Sequence, residues 1–303
     1  MLFHSIEEIL KYCDKEHVEF WKAIQLADCD ERMAAEEDSY EEMCALWHVM
    51  QENLKAYEPD ERSRSGLVGH EGGQMEAYVA AGDTLCGDFV GKVMTNALKM
   101  GCNNACMKRI IAAPTAGACG VLPAVLVTYY DEKIAPLAEH GKEAIRSEKE
   151  QRMVEAMYVA AGVGQVIARR ASLAGASGGC QAEIGSASAM AAAAIVHIKG
   201  GSKEQMADAA AIAIKNLLGL VCDPVAGLVE VPCVKRNAAG AVNALTAADM
   251  VLAGIKSRIP ADQVFDAMQE VGDKMDASLK ETSLGGVAAT PAGMEVADRL
   301  LAE

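Results

Sequence analysis

The run ASAMAAAAIVHI, from Ala187 to Ile198, contains no Asp, Glu, Lys or Arg, and half of it is alanine. Alanine is the best helix former and a poor strand former, so this run predicts a helix. Because the run is apolar on all sides, we expect the helix to be buried. It is well short of the ~20 residues with which a helix spans a bilayer. The run therefore predicts a buried helix of a soluble, cytoplasmic protein.

The composition of the whole chain extends this prediction. Hydrophobic residues make up 51% of the 303 residues and aromatic residues only 4%, so alanine and medium-sized aliphatic side chains supply most of the apolar volume. Small side chains let helices approach closely, and no segment shows the sustained two-residue alternation of strands. We predict an all-α fold, a single alanine-rich multi-helix domain. Residues 1–62 are expected to form an N-terminal helical pair that packs as one unit with residues 63–303.

Local signals mark where several helices begin and end. Ser5 and Glu8 fit a capping box at the start of a first helix. A second helix is expected over residues 40–56, because Pro59 follows. Ser202 and Gln205 fit another capping box further along the chain. After each capping box, apolar residues recur at the spacing of one helix face, which predicts amphipathic helices.

The charge and the cysteine content exclude several classes of protein. The formal net charge of −15 argues against nucleic acid and against an anionic membrane as partners, because both need a basic surface. Much of the acid lies in residues 27–44, where we expect a solvated helix face. The N-terminus lacks the basic stretch and apolar core of a signal peptide. In the cytoplasm, ten cysteines are expected to be reduced thiols, with a few metal ligands, rather than disulfides.

Three segments are unusual for plain helical packing: residues 112–126, 175–194 and 220–250. Each has a loop of small residues that leads into an apolar helix. Such a loop exposes backbone N–H groups at the helix start, where a carboxylate or phosphate can be held. Glycines in the same places also permit close helix crossing. The pattern by itself leaves both interpretations open.

Cys180, Cys222 and Cys233 lie within two of these segments. Their separations, 42 and 11 residues, do not fit the short CxxC spacing of a zinc ribbon or a thioredoxin-like site. Free cysteine is commonly buried as a small hydrophobic residue, whereas a thiolate needs a metal or a helix N-terminus to stabilise it. Spacing alone therefore leaves a shared metal site and ordinary packing as alternatives.

The segments GGCQAEIGSASAMAAA (residues 178–193) and CDPVAGLVEVPCVKRN (residues 222–237) resemble the signature of a known family. Together with residues 112–126 and ETSLGGVAATPAG (residues 281–293), they make the chain similar to the catalytic α chain of the iron–sulfur-dependent bacterial L-serine dehydratases. The resemblance extends over most of the chain from Ser65 to Gly293. It implies that residues 63–303 are the catalytic domain.

The resemblance implies that Cys180, Cys222 and Cys233 hold a [4Fe–4S] cluster. Three thiolates leave one iron without a protein ligand, and that open position suits Lewis-acid chemistry. The implied reaction is the elimination of water from L-serine to give pyruvate and ammonia, without pyridoxal phosphate. It further implies an oxygen-sensitive lyase of amino-acid catabolism and gluconeogenesis. The general base is not identified, and a second chain is one source for it.

Polar and glycine positions beside the cysteines are candidates for binding the amino-acid substrate. The candidates are Thr115, Gly117, Ser177, Gly179, Arg236 and Asn237. For each, a helix cap or a loop hydrogen bond is an equally good interpretation.

The resemblance also implies a partner. Single-chain members of the family carry a second domain with a Ser-Ser-Ser-His motif that contributes to the active site, and this motif is absent here. We therefore expect an α chain that works with a separate β chain in a heterodimer or larger assembly. Some members end in a cysteine that occupies the open iron. Residues 293–303 contain none, so that form of inhibition is not expected.

Several alternatives stay open at this point. Cys102 and Cys106 are spaced like adjacent helix turns, but packing is favoured over metal binding, as it is for Cys119. His70, in a glycine-rich loop, is a further candidate for substrate contact. The same cluster chemistry could act on cysteine or threonine. A non-catalytic helical binding or scaffold protein with a structural Cys₃ metal site, or with no metal, is the alternative from another class.

Overall fold

Helices make up almost all the regular structure in the computed structural model, which describes residues 2–139 and 141–302. The α-helices are, in chain order, α1 (Ile6–Glu16), α2 (Phe20–Arg32), α3 (Glu36–Lys55), α4 (Glu71–Ala80), α5 (Gly87–Ala105), α6 (Val121–Lys133), α7 (Pro136–Glu139), α8 (Glu143–Arg170), α9 (Gly175–Gly178), α10 (Ser186–Ile198), α11 (Lys203–Lys215), α12 (Cys233–Leu252), α13 (Ala261–Lys274) and α14 (Pro291–Ala302). Within the described ranges, strand-like pairing is limited to one isolated bridge between Cys222 and Lys280. The prediction of an all-α fold is confirmed.

The alanine-rich run lies in α10, and every residue from Ser186 to His197 is buried. Helices α6, α8, α11 and α12 pack around it. Small residues make these contacts close: a Cβ added at Gly240 of α12 would lie 2.7 Å from a side-chain carbon of Ile184. The hydroxyl of Ser188 donates to the carbonyl oxygen of Gly240 at 2.9 Å. The central helix can therefore be surrounded on all sides because its own side chains and those of its neighbours are small.

The N-terminal region differs from the predicted helical pair, because a third helix, α2, lies between α1 and α3. It buries Phe20, Ala23, Ile24 and Ala27, which follow the spacing of one helix face. Gly162 of α8 lets α2 approach, since a Cβ there would lie 2.6 Å from Ile24. Lys22 is the single charged residue between Phe20 and Ala27, and the charged residues Asp28, Asp30, Glu31 and Arg32 follow in the acidic stretch that was expected to form a solvated face.

Two predicted helix starts are confirmed. Ser202 caps α11, and the reciprocal bonds of the capping box with Gln205 are both present. The hydroxyl of Ser5 accepts from the backbone N–H of Glu8 at 3.0 Å at the start of α1. The carboxylate of Glu8 accepts from the N–H of His4 rather than from that of Ser5, so only half of this second box forms.

One hydrophobic core joins the N-terminal helices to the rest of the chain, with residues from α1, α2 and α3 in the same cluster as those of α8 and α10. The division into residues 1–62 and 63–303 stays a prediction. None of the helices in the described ranges combines the length and the apolar character that crossing a membrane requires.

Candidate metal centre

The three cysteines singled out in the sequence come to the same end of the helical core. Cys180 lies between α9 and a π-helical segment, Gln181–Gly185, that leads into α10. Cys222 lies in the isolated bridge, and Cys233 is the first residue of α12. All three are buried, with exposed fractions of 2%, 3% and 6%. Cys222 and Cys233 therefore lie at the two ends of one loop before α12, and Cys180 comes from the connection between α9 and α10.

The thiols are close enough to influence each other's ionisation. Burial raises the pKa of Cys180 to about 11 and that of Cys233 to about 12. Burial also raises the pKa of Cys222, and the charges of Cys180 and Cys233 raise it further. Three buried thiols that disfavour one another's ionisation need positive charge before they can all become thiolates.

Backbone hydrogen bonds join the Cys180 loop to the Cys222 loop. The N–H of Gln181 donates to the carbonyl oxygen of Leu220 at 2.9 Å. In return, the side-chain oxygen of Gln181 accepts from the N–H of Gly219 at 2.9 Å. The residue directly after Cys180 therefore fixes the chain that leads to Cys222.

The segment after α13 closes the other side of Cys222. The N–H of Cys222 donates to the carbonyl oxygen of Leu279 at 2.8 Å, and its own carbonyl accepts from the N–H of Glu281 at 2.7 Å. These two bonds form the bridge and bring residues 279–281 beside the thiol. This is how the motif at residues 281–293 reaches the cysteines.

Glu183, which sequence reasoning missed, is the carboxylate at the centre of this site. Its Oε1 accepts from the hydroxyl of Thr115 at 2.8 Å, and its Oε2 lies 3.9 Å from the sulfur of Cys222. Burial raises the pKa of Glu183. It lies in the π-helical segment, a distortion of helices that is frequent at functional sites. One signal was available: Glu183 is the only Asp, Glu, Lys or Arg between residues 171 and 198.

Two glycines make room for Glu183. A Cβ at Gly117 would lie 3.0 Å from Glu183 Oε1. A Cβ at Gly175 would lie 2.7 Å from the sulfur of Cys222 and 2.9 Å from Glu183 Oε2. The loop glycines therefore bring main chain close to the thiol and the carboxylate, as expected where a site must be lined by backbone.

Arg236 supplies the positive charge of the site. Its Nη2 lies 2.9 Å from Asp223 Oδ1, and its Nη1 donates to the carbonyl oxygen of Val221 at 2.8 Å. The guanidinium also lies beside Cys180, where its charge opposes the effect of burial on the pKa of that thiol. Arg236 therefore links the buried Asp223 to the first of the three cysteines.

Asn237, a predicted substrate contact, is engaged within the protein. Its Nδ2 donates to the carbonyl oxygens of Gly117 and Cys233, both at 2.9 Å. Its Oδ1 accepts from the N–H of Gly120 at 2.8 Å. Both donors of the amide are in use, so its evident role is to hold the loop at residues 117–120 against the start of α12.

The remaining predicted substrate contacts lie around the Cys180 loop. Ser177 is exposed at the surface of α9. Gly179 has a positive φ of 75°, and a Cβ there would lie 2.9 Å from the carbonyl oxygen of Leu220. A glycine is therefore required at this position by conformation and by close approach. Substrate binding by Thr115, Gly117, Ser177, Gly179, Arg236 and Asn237 stays a prediction.

The other candidates have surroundings of their own. The sulfur of Cys102 lies 3.5 Å from a carboxylate oxygen of Glu71, and that of Cys119 donates to the carbonyl oxygen of Met100 at 3.7 Å. Cys106 is half-buried at the end of α5. His70 is exposed just before α4.

Comparison with known proteins agrees with these motifs. The model of the family described as "Serine dehydratase alpha chain" matches residues 7–288. The chain is 42% identical over 299 residues to the "Probable L-serine dehydratase, alpha chain" of Bacillus subtilis (strain 168), covering 99% of this chain and 95% of that one. It is 37% identical over 303 residues to the "L-serine dehydratase, alpha chain" of Peptoniphilus asaccharolyticus, covering 100% and 99%. "L-serine dehydratase 1" of Escherichia coli (strain K12) is 35% identical over 293 residues, which are 94% of this chain and 61% of that one.

Proposed function

Because the chain belongs to the serine dehydratase alpha chain family, we propose that it is the catalytic α subunit of an iron–sulfur L-serine dehydratase. The reaction is the loss of water from L-serine, followed by hydrolysis to pyruvate and ammonia. One observation supports this site above others: three buried thiols, from the start of the π-helical segment and from the two ends of the 222–233 loop, lie beside a half-buried carboxylate, Glu183, and an arginine, Arg236.

The side chains fit a [4Fe–4S] cluster held by Cys180, Cys222 and Cys233. Thiolate is the ligand that iron–sulfur clusters use, and the three thiols need a nearby cation before they can ionise together. Three ligands are one fewer than a fully coordinated cluster requires. When bound, such a cluster supplies a Lewis acid that eases the departure of the β-hydroxyl group.

The residues of this chain supply the polar surroundings for a zwitterionic amino acid. Thr115 holds Oε1 of Glu183, which leaves Oε2 facing the space beside Cys222. We assign this carboxylate to the substrate ammonium, because a half-buried carboxylate and an ammonium form a strong charge-assisted hydrogen bond. Asn237 acts indirectly, by holding the loop that carries Gly117 and Thr115 against α12.

A separate β chain completes the site in this proposal. Two of the relatives are named alpha chains, and the Escherichia coli relative has a longer chain, of which the match covers 61%. We place the acceptor of the Cα proton on the partner, since elimination needs a base as well as a leaving-group activator. The location in the cytoplasm belongs to the same proposal, because an exposed iron–sulfur cluster needs a reducing compartment.

The test is anaerobic reconstitution with iron and sulfide, followed by metal analysis and an activity assay with and without the β chain. We expect about four irons and about four sulfides per chain, and pyruvate from L-serine only when both chains are present. Assays on L-threonine and L-cysteine, with 2-oxobutyrate and sulfide as readouts, define the substrate. A chain that retains zinc, takes up no sulfide and shows no activity with its partner contradicts the proposal.

A further inference from the structure

A second group of potential metal ligands lies far from the thiols. In the described residues, Glu19, Glu155 and His197 each offer one ligand atom, and these atoms all lie within 4.8 Å of one another. Glu19 directly precedes α2, Glu155 lies in α8, and His197 lies in the last turn of α10. Residues distant in sequence therefore converge where three packed helices meet.

The nitrogen of His197 is buried, whereas the carboxylate oxygens of Glu155 and Glu19 are more accessible to solvent. His197 is only 2% exposed, and its Nε2 lies 3.1 Å from Oε2 of Glu155. Glu155 is half-buried and Glu19 is exposed. A cation can therefore approach from the side of Glu19, and water can occupy the remaining coordination positions.

The charges of the cluster favour a cation. Two carboxylates held within 4.8 Å of each other repel when both are ionised, and a bound divalent cation relieves this repulsion. The cluster also lies at the C-terminal end of α10, where the helix dipole favours positive charge.

Neighbouring residues hold two of the ligands in place. The indole N–H of Trp21 donates to Oε2 of Glu19 at 2.6 Å, which fixes this exposed side chain. The guanidinium of Arg152 donates to the backbone carbonyl of His197 at 3.0 Å. Arg152 is on α8, three residues before Glu155, so this bond also sets the end of α10 against the helix that carries the second ligand. Its charge opposes a bound cation and is outweighed by the two carboxylates.

We infer that Glu19, Glu155 and His197 bind a divalent first-row metal ion, of the Mn²⁺ or Zn²⁺ type, which joins α2, α8 and the end of α10. One imidazole nitrogen with two carboxylate oxygens is a set that these ions accept, whereas Ca²⁺ and Mg²⁺ prefer oxygen ligands alone. The ion lies at the opposite end of α10 from Cys180, about 20 Å away by the rise of a 13-residue helix. Its role is structural, because it ties the N-terminal helices to the helix that leads from the thiols.

Mn²⁺ is the appropriate probe, because the thiols compete for Zn²⁺ and have little affinity for Mn²⁺. The experiment is an anaerobic Mn²⁺ titration of the full chain, followed by electron paramagnetic resonance, with pulsed measurements of the coupling to nitrogen. We expect one Mn²⁺ per chain, with the nitrogen coupling of a histidine ligand. His197→Gln should remove that coupling, and both His197→Gln and Glu155→Gln should weaken binding about tenfold or more.

Matched controls separate this site from others. Glu148 lies on the same helix as Glu155 but is exposed, and His48 is an exposed histidine of α3. The substitutions Glu148→Gln and His48→Gln should both leave the Mn²⁺ affinity unchanged. Glu19→Gln alters a surface residue, so it reports on binding even if the change at buried His197 impairs folding. The inference is overturned if Mn²⁺ does not bind, if it binds without nitrogen coupling, or if Cys222→Ser abolishes the binding. The first result would leave Glu155 and His197 as an ordinary hydrogen-bonded pair.

Discussion

The two ends of α10 carry different groups of potential ligands. At the N-terminal end, soft and buried sulfur atoms gather with Arg236 and Glu183. At the C-terminal end, a buried nitrogen lies within 4.8 Å of two more accessible carboxylate oxygens. The helix dipole favours negative groups at the first end and positive ones at the second. The sides of α10 are covered by other helices, so both groups of potential metal ligands lie at its ends.

Loss of a thiol at the N-terminal end of α10 is expected to have the largest effect on activity. Cys222→Ser is expected to reduce iron content and to lower kcat by about a thousandfold or more, because an alcohol is a poor ligand for iron–sulfur clusters. The measurement is iron analysis with the pyruvate assay, in the presence of the β chain. Cys86→Ser, at an exposed thiol, serves as the control and should leave both values unchanged. Full activity in Cys222→Ser would remove this residue from the site.

A change at Glu183 tests whether the site at the N-terminal end of α10, where the three thiols lie, binds substrate as well as metal. Glu183→Gln keeps an oxygen for Thr115 but removes the charge, so we expect the cluster to form while kcat/KM falls about a hundredfold. The paired measurement is the iron content and the kinetics of the same preparation. Glu148→Gln is the control. If iron and activity fall together, Glu183 supports the cluster rather than the substrate.

A change at Asn237 tests how much the buried hydrogen bonds around the three thiols contribute to the stability of the fold. Asn237→Ala leaves the N–H of Gly120 and the carbonyl oxygen of Gly117 without this partner, and we expect it to lower the free energy of unfolding by about 2 kcal/mol. Asn216→Ala removes an amide that makes an exposed hydrogen bond, and should cost about 0.5 kcal/mol or less. Denaturant unfolding measures both. Equal costs would mean that the buried bonds add little.

Two glycine substitutions compare the packing at the start of α10 with that further along the helix. A Cβ at Gly240 would lie 2.7 Å from the branched side chain of Ile184 and 3.0 Å from that of Val121. Gly240→Ala should therefore lower the free energy of unfolding by about 1 kcal/mol, even though alanine has the higher helix propensity. A Cβ at Gly164 meets the flexible Met190, with its sulfur at 3.0 Å. Gly164→Ala is therefore expected to be neutral or slightly stabilising in thermal unfolding. If Gly164→Ala destabilised the protein more than Gly240→Ala, the core would be packed less tightly near the thiols.

Much of the fold could be predicted because its signals are local. Alanine content predicted the helices, and Ser202 with Gln205 predicted a cap that forms in full. Helix α2 was missed although Phe20, Ala23, Ile24 and Ala27 have helical spacing, because its second half lies in the acidic stretch that begins at residue 27. The role of Glu183 was missed as well, since a lone carboxylate gains meaning only from its neighbours Thr115 and Cys222.

By itself, the sequence determined the helical class, the motifs that identify the family and the cysteines that stand out within them. These are properties of composition and of order along the chain. The tertiary structure decided which groups meet: the thiol of Cys180 with those of Cys222 and Cys233, Glu183 beside Cys222, and Glu19 with Glu155 and His197. No local pattern specifies such meetings, because they depend on how closely the helices pack. That closeness is set by the volumes of side chains on different helices, such as Gly240 against Ile184.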